Sequence, residues 1–209
     1  MQAKTFFNPE QKTTITRTIA GVEARTSGEL AVMVVDQSDT YPESRILCCI
    51  LFGGILALVI TDLWFSASLW TFLPLFISLA LLIGWTVDSL PGVKRFFIPS
   101  SRRESMVREE AIQAFYKKGL HNTRDSSGVL FFISLFEHRV WVLADKGIYE
   151  KISQKTLQEY AADIASGIKK GQATEALCKA INKVGILLAD HFPIRPGDTN
   201  ELPDEVLLA

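Results

Sequence analysis

The chain has 209 residues, 48% of them hydrophobic, with 22 basic and 23 acidic side chains and a formal net charge of −1. That balance excludes a general nucleic-acid binder, whose affinity needs a surplus of basic charge. The cysteines, Cys48, Cys49 and Cys178, form no CxxC pair, so they read as small apolar residues, and His121, His138 and His191 are too dispersed to suggest a zinc site.

The first element starts at Phe7-Asn8-Pro9-Glu10, where Asn8 suits an N-cap, Pro9 the first helical position and Glu10 the positive end of the helix dipole. Ile15, Ile19 and Val22 recur at helical spacing up to about Arg25. Ser27-Gly28 ends that helix, and Glu29 to Val35 reads as a buried strand.

Between Arg45 and Asp88 the only charge is Asp62. Ile46 to Thr61 followed by Leu63 makes a helix of about 18 residues, roughly 27 Å long, close to the thickness of a bilayer's hydrocarbon core. Leu69 to Val87 gives a second pass of similar length. Trp64, Phe65 and Trp70 cluster at the short turn, and Trp85 lies toward the other end, as interfacial aromatic belts require. Gly53 with Ala57, and Ala80 with Gly84, offer small faces for a close helix seam. A hairpin buried in a soluble core would need nearly complete wrapping by the remaining residues, which look like an ordinary domain with a core of their own. Arg45 precedes the first pass and Lys94, Arg95, Arg102 and Arg103 follow the second, whereas the turn has neither Lys nor Arg. This bias predicts both termini and the soluble domain on the cytoplasmic side of a membrane, such as a bacterial inner membrane. The first 45 residues hold no continuous apolar segment resembling a signal peptide.

After the anchor, Ser101 and Glu104 have capping-box spacing at the start of a helix that buries Met106, Val107, Ala111, Ala114 and Phe115 and ends at Gly119. Gly128 to Phe136 and Arg139 to Ala144 read as two strands joined across Glu137-His138. The first of the pair is apolar throughout, which places it centrally in a sheet covered on both faces. Leu157, Tyr160, Ala161, Ile164 and Ile168 define one further helix, and Leu177, Ile181, Val184 and Leu188 the last. From His191 onward the sequence reads as a polar, poorly packed tail. The expected organisation is a single discontinuous α/β domain, residues 1–45 and 92–209, with a small mixed sheet, interrupted by a transmembrane hairpin at 46–88.

At this point the residues resemble a known family. Phe6 to Val35, then Arg124 to Ile152, look like the TPM domain, which is named for chloroplast thylakoid-lumen and photosystem-associated proteins and a nematode receptor modulator. The features carrying the likeness are Thr26-Ser27-Gly28-Glu29 before the first strand, Asp125 and Gly128 before the second, and Arg139 with Asp145-Lys146-Gly147-Ile148 around the third. The resemblance covers about Phe6 to Leu188 and implies an α/β/α sandwich, frequently membrane-attached. It also implies calcium binding, acid phosphatase activity or turnover of a membrane complex. The hairpin between the first strand and the next helix departs from the family's usual terminal anchor, and the predicted cytoplasmic side departs from the lumenal chloroplast members.

The chain lacks a Walker A loop, an HExxH pair, a GxSxG elbow and a GxGxxG loop, so any chemistry rests on carboxylates. An antiparallel hairpin of the second and third strands brings Asp125 and Asp145 to one edge, where two carboxylates and loop carbonyls suit Ca²⁺ or Mg²⁺. Asp36 joins them if the first strand runs antiparallel to the second; otherwise Asp36 and Asp39 lie at the opposite edge. Ordinary turn or capping roles account equally for such aspartates. Arg139 is a candidate phosphate or partner contact, and Glu29 a sheet-edge pairing residue or a ligand. Two functions follow as expectations. One is a membrane-anchored interaction or assembly/turnover module whose partners are the bilayer and other membrane proteins. The other is a metal-assisted phosphatase.

Overall fold

Local rules set the first elements. In the computed structural model, which describes residues 2–65, 68–87, 90–123, 125–194 and 206–208, a short helix α1 (Ala3–Phe6) precedes α2 (Pro9–Glu23). Asn8 caps α2 as expected: its side chain accepts from the Gln11 N–H at 2.7 Å, and Gln11 reaches back to the Asn8 N–H. Strand β1 (Leu30–Val35) follows, then the apolar helices α3 (Pro42–Trp64) and α4 (Leu69–Thr86), the short α5 (Pro91–Phe96) and α6 (Ser100–Lys117). Gly119 takes a left-handed conformation, φ 78°, just past the end of α6. Strands β2 (Val129–Ser134) and β3 (Arg139–Ala144) form an antiparallel pair, joined by a turn in which His138 has φ 53°. The short α7 (Lys146–Tyr149), then α8 (Gln154–Lys169), α9 (Ala173–His191) and a two-residue strand β4 (Leu207–Leu208) complete the order.

The chain divides into two compact units, residues 1–38 with 104–209, and residues 39–103. In the first, the sheet order is β3-β2-β1-β4, a mixed three-strand sheet extended at its edge by the brief β4. β2 is central and buried along its whole length, because both its faces are covered. Leu30, Val32 and Val34 of β1, with Val129, Phe131 and Ile133 of β2, pack against Ile15, Ile19 and Val22 of α2 and against the apolar faces of α8 and α9. The alternate residues Ala31, Met33, Val35, Leu130 and Phe132 meet Val107, Ala111, Ala114 and Phe115 of α6. This is the α/β/α sandwich expected from the sequence. α6 and Leu120 cover the second face, and Trp141 on β3 is half-buried there, with the Arg108 guanidinium 6.0 Å from its ring centre.

In the second unit, α3 and α4 are long and apolar enough to cross a membrane. Only 22% and 6% of their apolar windows are buried, whereas a core helix of a soluble protein would be enclosed. The small residues form the seam: a Cβ added to Gly53 would stand 3.2 Å from the Ala80 backbone, and one added to Gly84 would stand 3.0 Å from Cys49 Sγ.

Two expectations need correction. The helix starting near Ser101 begins at Ser100 and is preceded by the unforeseen α5, for which Pro91 supplies a first-turn proline. The tail is also not uniformly unpacked. Residues 195–205 lie outside the described residues, but Leu207 and Leu208 pair in parallel with Met33 and Val34 because Val206-Leu207-Leu208 is a short apolar run that an open sheet edge can accept.

At the end of the sheet where β1 and β2 finish, a buried carboxylate holds the chain's exit from the first unit. Glu137, 1% exposed, accepts the Ser38 N–H on Oε1 at 2.9 Å and the Ser134 hydroxyl on Oε2. Ser38 Oγ in turn donates to Ser134 Oγ at 3.0 Å. Replacing Glu137 by alanine strands these donors and should cost about 3 kcal/mol in denaturant unfolding, with Glu137→Gln intermediate. A glycine pair gives a sharper contrast. A Cβ on Gly128 would lie 2.2 Å from the Leu120 carbonyl oxygen, whereas nothing lies within 4 Å of one on Gly21. Gly128→Ala should therefore lose about 3 kcal/mol or more, and Gly21→Ala, inside α2, should gain roughly 0.5–1 kcal/mol.

Candidate functional site

The directions of the strands decide which residues meet. Because β2 and β3 are antiparallel with Val129 opposite Ala144, the segment entering β2 and the segment leaving β3 emerge together, and the Asp145 N–H donates to the Gly128 carbonyl at 2.9 Å. Because β1 and β2 are parallel, the segment entering β1 arrives at the same end: Glu29 N–H donates to the Ser127 carbonyl and Val129 N–H to the Glu29 carbonyl. Thr26-Ser27-Gly28-Glu29, Asp125-Ser126-Ser127-Gly128 and Asp145-Lys146-Gly147-Ile148 thus converge at one end of the sheet.

Hydrogen bonds tie the three segments into one unit. Ser27 Oγ donates to Asp125 Oδ2 at 3.2 Å, and Ser127 Oγ donates to the Ser27 carbonyl at 3.0 Å. The Ser127 N–H, fully buried with its residue, donates to Thr123 Oγ1 at 2.9 Å. Ser126 is held at φ 50°. Against this turn lies Gly147, so close that a Cβ there would stand 2.7 Å from the Asp125 carbonyl oxygen and 2.8 Å from that of Ser126. Only glycine allows α7 to sit on those two carbonyls.

Asp145 caps α7: its Oδ1 accepts the Lys146 N–H at 2.7 Å. Its Oδ2 is buried and accepts no hydrogen bond from the protein. A carboxylate oxygen withdrawn from water with no donor is costly. One turn on, Tyr149 accepts the Ala144 N–H on its hydroxyl oxygen at 3.3 Å, and burial pushes its phenol above the ordinary tyrosine range. Glu29, 7% exposed, pairs through its backbone as expected, and its side chain is enclosed at the same end.

Asp36 does not join this group. The parallel pairing of β1 with β2 sends it to the opposite end of the sheet, where Asp36 Oδ1 accepts the Ala3 N–H at 2.5 Å. Asp39 and Glu43 belong to the second unit and share Arg102, at 3.2 and 3.1 Å. Arg139 also lies at the far end, beside Ser134, with Glu104 Oε2 at 3.9 Å. His138 and His191 are exposed as expected, but His121 is half-buried, its ring 4.9 Å from that of Tyr116 and its Nδ1 without a hydrogen-bond partner. Sequence reading missed Glu137 as a buried carboxylate; its only signal was a charged residue between two strands, which usually means a solvated turn.

The donor set at the Asp125 and Asp145 end is all oxygen: two carboxylates and the Asp125 and Ser126 carbonyls. That chemistry fits a hard divalent cation, and the unsatisfied Asp145 Oδ2 is the atom such an ion would relieve. No cluster of three or more His, Cys, Asp or Glu side chains suited to a metal occurs among the described residues, so backbone oxygens and water would have to complete the shell. Two described cavities lie elsewhere. One is lined by Leu58, Asp62 and Phe72 of the apolar helices, the other by Arg17, Arg25 and Asn182.

Residues 93–186 match the family model of the TPM domain. No curated protein sequence matches the chain. Among solved structures, the NMR structure of BA42 protein from the psychrophilic bacterium Bizionia argentinensis is similar, with a TM-score of 0.60, 20% identity, and coverage of 97% of this chain and 94% of that one. At that identity the likeness speaks to the fold alone. The match takes in α6, β2, β3, α7, α8 and most of α9, including Asp125, Gly128 and Asp145-Lys146-Gly147, so over these residues the chain is similar to the TPM domain.

Proposed function

We propose that the chain is a membrane-anchored TPM-domain protein that acts as an interaction module in the assembly or turnover of other membrane proteins. The end of its sheet at Asp125 and Asp145 takes a divalent cation, Ca²⁺ or Mg²⁺. The observation that carries the cation reading is the buried Asp145 Oδ2, which accepts no hydrogen bond at the point where three chain segments are tied together. A bound cation would neutralise Asp125 and Asp145 and lock the loops entering β1 and β2 to α7. The surface those loops present to a partner would then depend on the ion.

In this reading α3 and α4 cross the bilayer, and the basic residues Arg45, Lys94, Arg95, Arg102 and Arg103 keep both termini and the TPM domain on the cytoplasmic side of a bacterial-type inner membrane. Reporter fusions at the C-terminus should be active only in the cytoplasmic form; activity of the exported form would reverse the topology.

The module is favoured over a phosphatase because neither described cavity borders Asp125 or Asp145. The phosphatase reading also needs a positioned base, whereas Asp145 caps α7 and Asp125 accepts from Ser27. Thermal unfolding of the detergent-purified protein in millimolar Ca²⁺ or Mg²⁺ tests the cation reading. The midpoint should rise by several degrees in the wild type and stay still in Asp125→Ala and Asp145→Asn. No shift in any of the three would make both aspartates ordinary turn and cap residues. Cation-dependent hydrolysis of a phosphomonoester, lost in Asp125→Ala, would replace the module by an enzyme.

A further inference from the structure

The outer edge of β1 is where a sheet would accept another strand, and the chain's own end already occupies it. β1 lies between β2 and β4, and among the described residues β4 pairs with Met33 and Val34. The start of that edge is closed by a side chain: Glu23 Oε1 accepts the Leu30 N–H at 2.9 Å. Further along that edge Leu207 lies opposite Met33 and Leu208 opposite Val34. Its neighbours alternate as a strand's should. Val206 packs on the cluster shared with α2, α8 and α9, while Leu207 packs on the cluster shared with α6.

We infer that the outer edge of β1 is a docking site for an extended apolar segment of a partner polypeptide, added parallel to β1, and that Val206-Leu207-Leu208 is a resident, displaceable occupant. The resident strand specifies the partner's chemistry: main-chain groups that pair with the Val32–Val35 stretch, and apolar side chains at successive positions that enter opposite faces of the sheet. Displacement is feasible because two residue pairs among the described residues hold the occupant, and because the sequence before it includes Pro196, Gly197, Asp198, Pro203, Asp204 and Glu205, residue types with little apolar surface. Tethering still gives the resident strand an effective concentration on the order of millimolar, so it competes with weak binders and yields to good ones. The inference deepens the interaction-module reading and rests on it, but it needs no cation.

The test uses the full-length chain in nanodiscs and a fluorescent peptide with the chain's own sequence from Glu201 to Ala209 as probe. Leu207→Asp vacates the edge, so this variant should bind the peptide at least ten-fold more tightly than the wild type does. The same peptide with proline in place of leucine at the position of Leu207 should not bind, since it lacks a ladder N–H. Equal binding by wild type and variant, or none by the variant, would overturn the proposal. So would loss of the variant's fold, because a strand whose removal unfolds the domain is core and not an occupant. A wild-type dimer that Leu207→Asp converts to a monomer would show the occupant to be a second copy's tail, which also overturns it. Failure here with the cation-dependent thermal shift intact would remove the docking edge and leave the cation reading standing.

Discussion

The parallel pairing of β1 with β2 is the constraint on which the rest of this structure depends. Parallel neighbours cannot be joined by a tight turn, so the chain between them must make a long crossover, and residues 36–128 fill it. Part of that crossover is α6, which covers one face of the sheet and buries Val107, Ala111 and Phe115 against β1 and β2. The rest includes the apolar pair α3 and α4. Two helices long and apolar enough to cross a membrane are therefore accommodated where the fold already requires a long excursion.

The same pairing makes the two ends of the sheet chemically unlike. At one end the segments entering β1 and β2 and leaving β3 are bound together through Ser27, Asp125, Ser127 and Asp145, and a carboxylate oxygen is left without a donor. The other end differs. Asp36 accepts from the Ala3 backbone, and Glu137 is buried with donors on both oxygens. A filled carboxylate stabilises, whereas one buried with an empty acceptor site is a place for a ligand. This contrast is why the candidate site is assigned to Asp125 and Asp145, and not to the more deeply buried Glu137.

Much of the fold was legible because its signals are local or periodic. Asn8-Pro9, the apolar runs, the all-apolar β2 and the helical spacing of Leu177, Ile181, Val184 and Leu188 each act over a few residues, and each appears in the structure at or near its expected bounds. The site was legible in part. Asp125 and Asp145 follow from a hairpin, whose antiparallel geometry the short Glu137-His138 link implies. Asp36 depended on the relative direction of strands separated by most of a hundred residues, which no local pattern encodes, and both directions had stood open. The role of Gly147 was equally hidden, because its close approach to the Asp125 and Ser126 carbonyls is a tertiary contact. β4 was missed because two residues are too few to show a period, and a polar sequence surrounds them.

The central claim is that three distant segments form one ion-responsive unit at one end of the sheet. The most direct measurement is an amide-resolved NMR titration of the isotopically labelled chain with Ca²⁺. The account predicts shifts confined to residues 27–29, 125–128 and 145–148, with Asp36, Ser38 and Glu137 unmoved. Shifts centred on Asp36 and Glu137, or spread thinly over the acidic surface, would contradict it.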